Sequence, residues 1–335
     1  EKPGGYTYEE LAELALNALP KARSVLLICN TKNQAARLFA LLQHTDAAVF
    51  HLSTSMCMAH RQDTLQSITD ALAQTDTQVI CVATQLVEAG VDFSFGCVVR
   101  VLAGLDNLIQ AAGRCNRHGE FGFLCPVYVV NLKGEDLTPL PEIMQAQNAA
   151  RALLEAFRQN PAGFGGELDS QEAIAFYYHN LFQNMRTQAQ DYPVSKENFT
   201  LFSLLSDNAT FRRQKTLLFP LLGQAFQTAG QAFTVFGQTG CDVLVPYGEG
   251  KALIEELGSK FSLYDTARQK ELLKKARRFS VTFFEYQRSR LEKAGGLAPL
   301  CGGTVLALLP AFYLDNTGLT LALGYNSFLE VQDDL

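Results

Sequence analysis

Short apolar runs alternate with amphipathic helical patterns over about the first 130 residues of the chain. Strands that are buried on both faces appear as continuous apolar runs, and their alternation with helices is typical of a parallel sheet with crossover connections. We therefore predict an α/β fold for this region. The predicted strands are Val25–Cys29, Ala47–Leu52, Val79–Ala83, Cys97–Val101 and Pro126–Asn131.

Sequence patterns that indicate helices lie between these apolar runs. Thr7 and Glu10 have the spacing of a capping box, which predicts a helix that Pro20 closes. Further helices are predicted at Asn33–Gln43, Ala59–Ala73 and Leu105–Gly113.

Small polar residues follow three of the predicted strands. In an open parallel sheet, ligands lie beyond the carboxyl ends of the strands. Taken singly, each of these residues is explained by a turn or a helix cap, but their joint placement favours a surface that binds phosphates without reading base sequence. The residues are Asn30, Thr31, Ser53, Thr54 and Thr84, to which we add Arg61, with an ordinary helix-surface charge as its alternative.

The chain after residue 133 has a different character. We predict three segments: 1–133 as the α/β region, 134–215 as a helical linker and 216–335 as a small α+β domain. The linker helices are predicted at Pro141–Asn160 and after a cap at Asp169 to Glu172. The later strands are predicted at Phe233–Phe236, Asp242–Tyr247, Ser280–Phe284 and Thr304–Leu309, and Gly248–Lys251 is predicted to be a strand-to-helix turn because it lacks phosphate-loop spacing.

Composition limits the class of protein. A formal net charge of −6 argues against a chain-wide cationic nucleic-acid binder and leaves room for a local groove. The eight cysteines form no Cys-x-x-Cys pair and lie mostly in apolar stretches, which favours buried reduced thiols, and the five histidines lack ligand spacing, so we expect no metal site. Without a run of eighteen apolar residues or a leader pattern, we expect a cytoplasmic protein with no membrane contact.

Two arginines three residues apart, Arg114 and Arg117, follow Gln110 and Gly113. A guanidinium is planar, permanently charged and able to donate to two phosphate oxygens at once. Residues at i and i+3 of a helix share a face, so we predict that both arginines point at one phosphate. The alternative is a solvated stripe on a helix surface.

A basic and aromatic stretch lies between Lys270 and Lys293. Its cations, among them Lys274 and Arg277, alternate with Phe279, Phe283, Phe284 and Tyr286. This mixture is typical of a channel wall for single-stranded nucleic acid, where cations bind phosphates and rings stack on bases. An amphipathic helix that runs into a half-buried strand explains the same pattern, and the two interpretations stay open.

Two blocks in this order and spacing resemble motifs V and VI of superfamily 2 helicases: Val82–Asp92 (VATQLVEAGVD) and Gln110–Arg117 (QAAGRCNR). Val25–Lys32 resembles motif IV of the same superfamily. More narrowly, His51–Arg61 and Gly113–Gly119 resemble the CRISPR-associated helicase-nuclease of type I systems, the effector that degrades invading DNA. The resemblance is strong from about residue 20 to 131 and weaker beyond.

The resemblance implies a RecA-like second helicase lobe, a helical linker and a C-terminal accessory domain. It implies that Arg114 and Arg117 act on the γ-phosphate of ATP and that Gln110 places the phosphate or the attacking water. Gly90, Asp92 and Gly113 would contact the nucleotide. Ala111 stands where many superfamily 2 helicases carry an arginine, which leaves Arg114 and Arg117 as the candidates.

Three motifs of such proteins are missing from this sequence: the Gly-Lys-Thr phosphate loop, the Asp-Glu-x-His magnesium motif and the His-Asp nuclease motif. The family carries them N-terminal to the region seen here. We therefore expect a C-terminal portion, or a separately made piece, that shares ATP and Mg²⁺ with a first lobe and does not hydrolyse ATP alone. The expected partners are single-stranded DNA, the N-terminal nuclease and first helicase lobe, and the CRISPR RNA-guided surveillance complex.

Two other functions fit parts of the sequence. The first is a lobe of another superfamily 2 translocase, against which the Met56-Cys57 and Gly113–Gly119 blocks argue. The second is a motor-derived interaction module without catalysis, against which the intact Arg-x-x-Arg argues and which the missing phosphate loop leaves open.

Overall fold

The computed structural model of the chain describes residues 2, 4–88, 90–184, 192, 200–206, 208, 223–233, 240–259 and 265–321. Contacts divide the chain into two compact units: Glu1–Pro139 with Gly240–Leu335, and Leu140–Thr239. Residues 240–335 of the third predicted segment thus share one unit with the first segment, because residues of the C-terminal region pack on the helix and turn at 55–63. The predicted domain boundaries at residues 133 and 215 stay predictions.

A five-stranded parallel sheet forms the centre of the N-terminal region, and the predicted α/β fold is confirmed. Its strands have the order β2-β3-β1-β4-β5, with every neighbouring pair parallel. The strands are β1 (Ser24–Cys29), β2 (Ala48–Leu52), β3 (Val79–Thr84), β4 (Cys97–Val101) and β5 (Val127–Val130). The helices between them are α1 (Tyr8–Ala22), α2 (Lys32–Leu42), α3 (Met58–Ala73) and α4 (Leu105–Ala112).

The central strand β1 is buried on both faces, which explains its unbroken apolar sequence. Val25, Leu27 and Cys29 join the core that contains α1 and α2. Leu26 and Ile28 join the core that contains Ile68 of α3 and Ala111 of α4. Alternate side chains therefore serve two separate apolar layers.

Helix α1 begins as predicted and ends later than predicted. Thr7 accepts a hydrogen bond from the Glu10 backbone, and the Glu10 carboxylate accepts one from the Thr7 backbone. Pro20 lies inside the helix, which continues to Ala22, so the prediction that Pro20 closes it was wrong. Proline keeps a helical φ and removes one hydrogen bond, and the left-handed Arg23, with φ of 62°, ends the helix instead.

The C-terminal region of the same unit has a four-stranded mixed sheet of order β7-β6-β9-β8. Its strands are β6 (Cys241–Leu244), β7 (Ser280–Phe283), β8 (Leu297–Leu300) and β9 (Val305–Leu308), followed by the hairpin β10 (Tyr313–Leu314) and β11 (Gly318–Leu319). Helices at Gly250–Gly258, Thr266–Ala276 and Glu285–Lys293 flank the sheet. The turn before Gly250 is confirmed as a strand-to-helix connection, β8 was not predicted, and the predicted strand Phe233–Phe236 lies largely outside the described residues.

The second unit is helical where it is described. Helices Pro141–Gln159 and Gln171–Asn184 pack together, with Leu153 and Tyr177 buried, and short helices follow at Leu201–Leu205 and Phe226–Ala232. Ser170, one residue after the predicted cap, accepts the hydrogen bond that begins the second helix.

Five cysteines are buried: Cys29, Cys57, Cys81, Cys97 and Cys301. Burial raises the pKa of the Cys29 and Cys81 thiols to about 12, so both stay protonated and unreactive at neutral pH. Within the described ranges, no helix is both long and apolar enough to cross a membrane.

Candidate functional site

Arg114 and Arg117 do not lie on a helix. Helix α4 ends at Ala112, with Gly113 as its C-cap, and Arg114 lies in the following turn. The segment then pairs with the chain before β4: the Phe95 amide donates to the Arg114 carbonyl at 2.9 Å, and the Asn116 amide donates to the Phe95 carbonyl at 2.9 Å. The predicted shared helix face of Arg114 and Arg117 was therefore wrong.

Arg114 points inward, with 7% of its surface exposed. Its Nε donates to the Val87 carbonyl at 3.0 Å, and its Nη2 donates to the Glu88 carbonyl at 2.7 Å. Burial lowers the pKa of Arg114, and the nearby Arg117 lowers it further. Arg114 thus fixes the turn that follows β3.

Arg117 points outward, with 41% of its side chain exposed. Its Nε lies 2.9 Å from Asp92 Oδ1, and its Nη1 donates to the Gly113 carbonyl at 3.2 Å. His118 Nε2 lies 3.5 Å from the same Asp92 oxygen. We call Asp92, Arg114, Arg117 and His118 the arginine cluster.

Three more predicted nucleotide contacts lie near this cluster in sequence. Gly90 has a φ of 76°, a left-handed conformation that glycine adopts without strain, and a Cβ there would meet no atom within 4 Å. Its role is therefore conformational. Gln110 is exposed on the last turn of α4, and Gly113 is exposed at its C-cap.

Asn30, Thr31, Ser53, Thr54 and Thr84 lie at the carboxyl ends of β1, β2 and β3, and we call them the strand-end row. Because these strands are parallel neighbours, the row occupies one edge of the sheet. Helix α4 begins beside this edge and runs back, so the arginine cluster lies next to residues that precede β4. The two candidate surfaces are therefore separate.

Most side chains of the strand-end row are already engaged within the fold. Asn30 Nδ2 donates to the Leu102 carbonyl and to Glu135. The Thr31 side chain caps α2 in a capping box. Ser53 is buried, with its Oγ 2.9 Å from His51 Nε2. Thr54 is exposed and Thr84 half-buried, which leaves these two side chains best placed for a ligand.

Arg61 is half-buried on the first turns of α3. It lies close enough to Lys32, at the start of α2, to lower the pKa of that lysine, although burial of Lys32 is the larger cause. Two cations thus stand beside the strand-end row.

The side chains of the predicted channel stretch, Lys270–Lys293, lie partly in the core and partly on the surface. Phe279 and Phe283 belong to the C-terminal core, whereas Phe284 and Tyr286 are exposed and stacked with their ring centroids 6.4 Å apart. Among the described residues Lys274 and Arg277 are exposed and form no ion pair. Lys275 pairs with Glu271, and Arg278 donates to Gln62. The helix and the half-buried strand that the alternative interpretation of this stretch requires are both present. DNA binding by this stretch stays a prediction.

Sequence reasoning missed a buried ion pair next to the strand-end row. Arg100 of β4 is 0% exposed, and its Nε lies 2.8 Å from Glu88 Oε1. Asn107 Nδ2 donates to the other Glu88 oxygen at 2.7 Å. A charged residue in the apolar run Cys97–Val101 was the signal that could have revealed it. In the described part of the chain, no group of three His, Cys, Asp or Glu residues is arranged to hold a metal ion.

Part of the chain is similar to known proteins. Residues 21–120 match the family described as CRISPR-associated nuclease/helicase Cas3, C-terminal. The CRISPR-associated nuclease/helicase Cas3 of Haloferax volcanii is 47% identical over 58 residues, which are 17% of this chain and 6% of that protein.

Solved structures of T. fusca Cas3 share the fold. The match with the T. fusca Cas3-AMPPNP structure covers 95% of this chain and 40% of the T. fusca chain, with a TM-score of 0.58 and 17% identity. The match with a second structure, T. fusca Cas3, covers the same fractions of the two chains, with a TM-score of 0.56 and 16% identity. The chain thus spans about 40% of the length of these structural relatives. Residues 21–120, which contain both the arginine cluster and the strand-end row, are thus similar to the C-terminal region of CRISPR-associated nuclease/helicase Cas3 proteins.

Proposed function

We propose that the chain is the second motor lobe and C-terminal region of an ATP-dependent single-stranded DNA translocase that acts with a nuclease in type I CRISPR interference. The observation that carries the proposal is the arrangement of Arg117. Its guanidinium is exposed and is held by an exposed carboxylate, Asp92, and by one backbone carbonyl. Such a cation is free to exchange its partner for a phosphate.

The exchange has a simple electrostatic basis. An ion pair between exposed groups contributes only about 0–1 kcal/mol, so release of Asp92 costs little. A triphosphate carries more negative charge than the Asp92 carboxylate, and its oxygens have a geometry that the two donors of a guanidinium match. In phosphoryl transfer the charge spreads over the transferred group, and an arginine at that point accelerates the reaction by orders of magnitude.

The two arginines then have different roles. Arg117 contacts the γ-phosphate, and Arg114 positions the turn after β3 through the Val87 and Glu88 carbonyls. Gln110, Gly90, Asp92 and Gly113 line the approach to the nucleotide. The first helicase lobe supplies the phosphate loop and the carboxylates for Mg²⁺. Solved structures of T. fusca Cas3 with AMPPNP, ATP and ADP support nucleotide binding by a complete protein that shares this fold.

Single-stranded DNA follows the strand-end row. Thr54, Thr84 and Arg61 contact phosphates by side chains, whereas Asn30, Thr31 and Ser53 contribute backbone groups and a fixed surface. Lys274 and Arg277 extend the path onto the C-terminal region. Contacts of this kind hold a strand without reading its sequence. Recruitment by a CRISPR RNA-guided surveillance complex completes the proposed function.

Replacement of Arg117 tests the proposal. In the complete protein with saturating single-stranded DNA, Arg117→Ala lowers single-turnover ATP hydrolysis by about a hundredfold, while ATP affinity changes by only a few-fold. Arg117→Lys rescues poorly because a point charge does not reproduce the fork. The melting temperature stays close to that of the unmodified protein, since Arg117 is exposed.

Arg268→Ala is the matched control. Arg268 has 45% of its side chain exposed and pairs with Glu256 and Glu271 on the C-terminal region. We expect hydrolysis to be unaffected in this variant. Near-normal hydrolysis in Arg117→Ala would show that the residue is an ordinary surface cation.

A further inference from the structure

A continuous set of buried polar contacts links the arginine cluster to the strand-end row. Arg114 holds the Val87 and Glu88 carbonyls. The Glu88 carboxylate pairs with Arg100, and Arg100 Nη1 donates to Asn30 Oδ1 at 2.7 Å. Three residues, Glu88, Arg100 and Asn30, thus join the two surfaces, and we call them the buried relay.

Each member of the buried relay has little freedom to rearrange. Glu88 is 4% exposed, Arg100 is 0% exposed and Asn30 is 7% exposed. Arg100 Nη1 also donates to the Val101 carbonyl at 2.7 Å, which fixes the guanidinium against its own strand. Asn30 Nδ2 donates to the Leu102 carbonyl at 2.9 Å. A displacement of Glu88 therefore disturbs Arg100 and Asn30 as well.

Stability alone is a poor explanation for this arrangement. Two charges lose their hydration on burial, and their mutual attraction often no more than offsets that loss, so an apolar pair of similar size frequently folds as well. Burial raises the pKa of Glu88, although Arg100 has the opposite effect. One Arg100 nitrogen, Nη2, is buried without a hydrogen-bond partner in the described part of the chain.

We propose that Glu88 and Arg100 are positioning residues that couple nucleotide state to DNA affinity. The inference rests on the proposed function of the two surfaces. When ATP engages the arginine cluster, Arg114 shifts the turn that carries Glu88, and Arg100 transmits the shift to Asn30 at the end of β1. The DNA path then changes because Asn30 and the adjacent Thr31 define its floor.

Thermodynamic coupling between ATP and DNA tests this proposal in the complete protein. The quantity is the ratio of the dissociation constants for single-stranded DNA measured without and with AMPPNP. In Glu88→Gln, which keeps the shape and removes the charge, we expect this ratio to move at least fivefold towards one. A residue with a purely structural role would change the melting temperature and leave the ratio intact.

Glu256→Gln is the control, because it removes the charge of an exposed partner of Arg268 on the same unit. We expect its ratio to match that of the unmodified protein. If Glu88→Gln does not fold, Asn107→Ala removes only the outer contact of Glu88 and should move the ratio part of the way towards one. An unchanged ratio in the folded variants would overturn the proposal.

Amide hydrogen exchange separates this proposal from the proposed function. In Glu88→Gln, we expect protection to fall together in the segment Gln85–Val87 and at Asn30 and Thr31. A loss of amide protection confined to Gln85–Val87 would disprove the buried relay even if the enzyme hydrolyses ATP. Conversely, an unmodified protein without DNA-stimulated hydrolysis would refute the proposed function, while the exchange pattern would still decide whether the relay exists.

Discussion

His51 lies near the end of β2 with 2% of its surface exposed, and its Nε2 is 2.9 Å from Ser53 Oγ. Burial lowers the pKa of His51 to about 4, and the nearby His60 adds to the effect. The imidazole is therefore neutral in the folded protein at pH values where it would be charged in water. This residue makes the fold sensitive to acid.

The pH dependence of stability measures this effect. The unfolded chain takes up a proton at His51 near pH 6.5, whereas the folded protein takes it up only near pH 4. We expect the free energy of unfolding to fall as pH drops through this window, with a His51 contribution of about 3 kcal/mol. Denaturant titrations at several pH values should show a smaller decline in His51→Gln.

Exposed His44 provides the matched control. His44→Gln should leave the decline between pH 6.5 and 4 as it is in the unmodified protein. An identical decline in His51→Gln would mean that the buried imidazole does not carry the effect.

At the scale of elements, the junction between α1 and β4 depends on one glycine. Gly96 lies just before β4, and its amide donates to Ser24 Oγ at 2.9 Å. A Cβ at this position would overlap the carbonyl oxygen of Ala22, the last residue of α1. Because that atom belongs to the backbone, it cannot move aside as a flexible side chain would.

Gly96→Ala should therefore destabilise the protein, by about 1–3 kcal/mol or more. The matched control is Gly122→Ala, since a Cβ at Gly122 would meet no atom within 4 Å. Equilibrium unfolding in denaturant compares the two variants. Equal stability of both would show that the α1–β4 junction adjusts freely.

At the scale of the whole molecule, an aromatic cluster fastens the C-terminal region to the α/β lobe. The Tyr313 hydroxyl accepts from the Cys57 amide at 3.1 Å and lies 2.9 Å from His60 Nδ1. The His60 ring stacks on Tyr247 with centroids 4.2 Å apart, and Tyr247 donates to Asp63 at 2.9 Å. The block at His51–Arg61 thus serves as a docking surface for the later part of the chain.

Tyr313→Phe should weaken this attachment. It leaves the buried Cys57 amide without its acceptor, and an unsatisfied buried donor costs about 1–3 kcal/mol. Tyr286→Phe is the control, because Tyr286 is 62% exposed. Denaturant unfolding should show a loss of stability only in Tyr313→Phe, and a comparable loss in both variants would argue against the fastening role.

The sequence determined the parallel sheet and the similarity of residues 21–120 to the Cas3 C-terminal family. Strand β1 is apolar throughout because it is buried on both faces, so a local pattern revealed it. The capping box at Thr7 begins its helix through contacts only three residues apart. The strand-end row followed from strand order along the chain and the geometry of parallel sheets. Each of these inferences needed only neighbouring residues.

Tertiary structure alone decided the chemistry of the site. Gly113 ends α4 before Arg114, which sends one arginine inward and leaves Arg117 outside. The contact between Arg100 and Asn30 spans 70 residues, and that between Tyr313 and His60 spans 253. No periodicity encodes such contacts, because they depend on which strands become neighbours and on which buried charges then find partners.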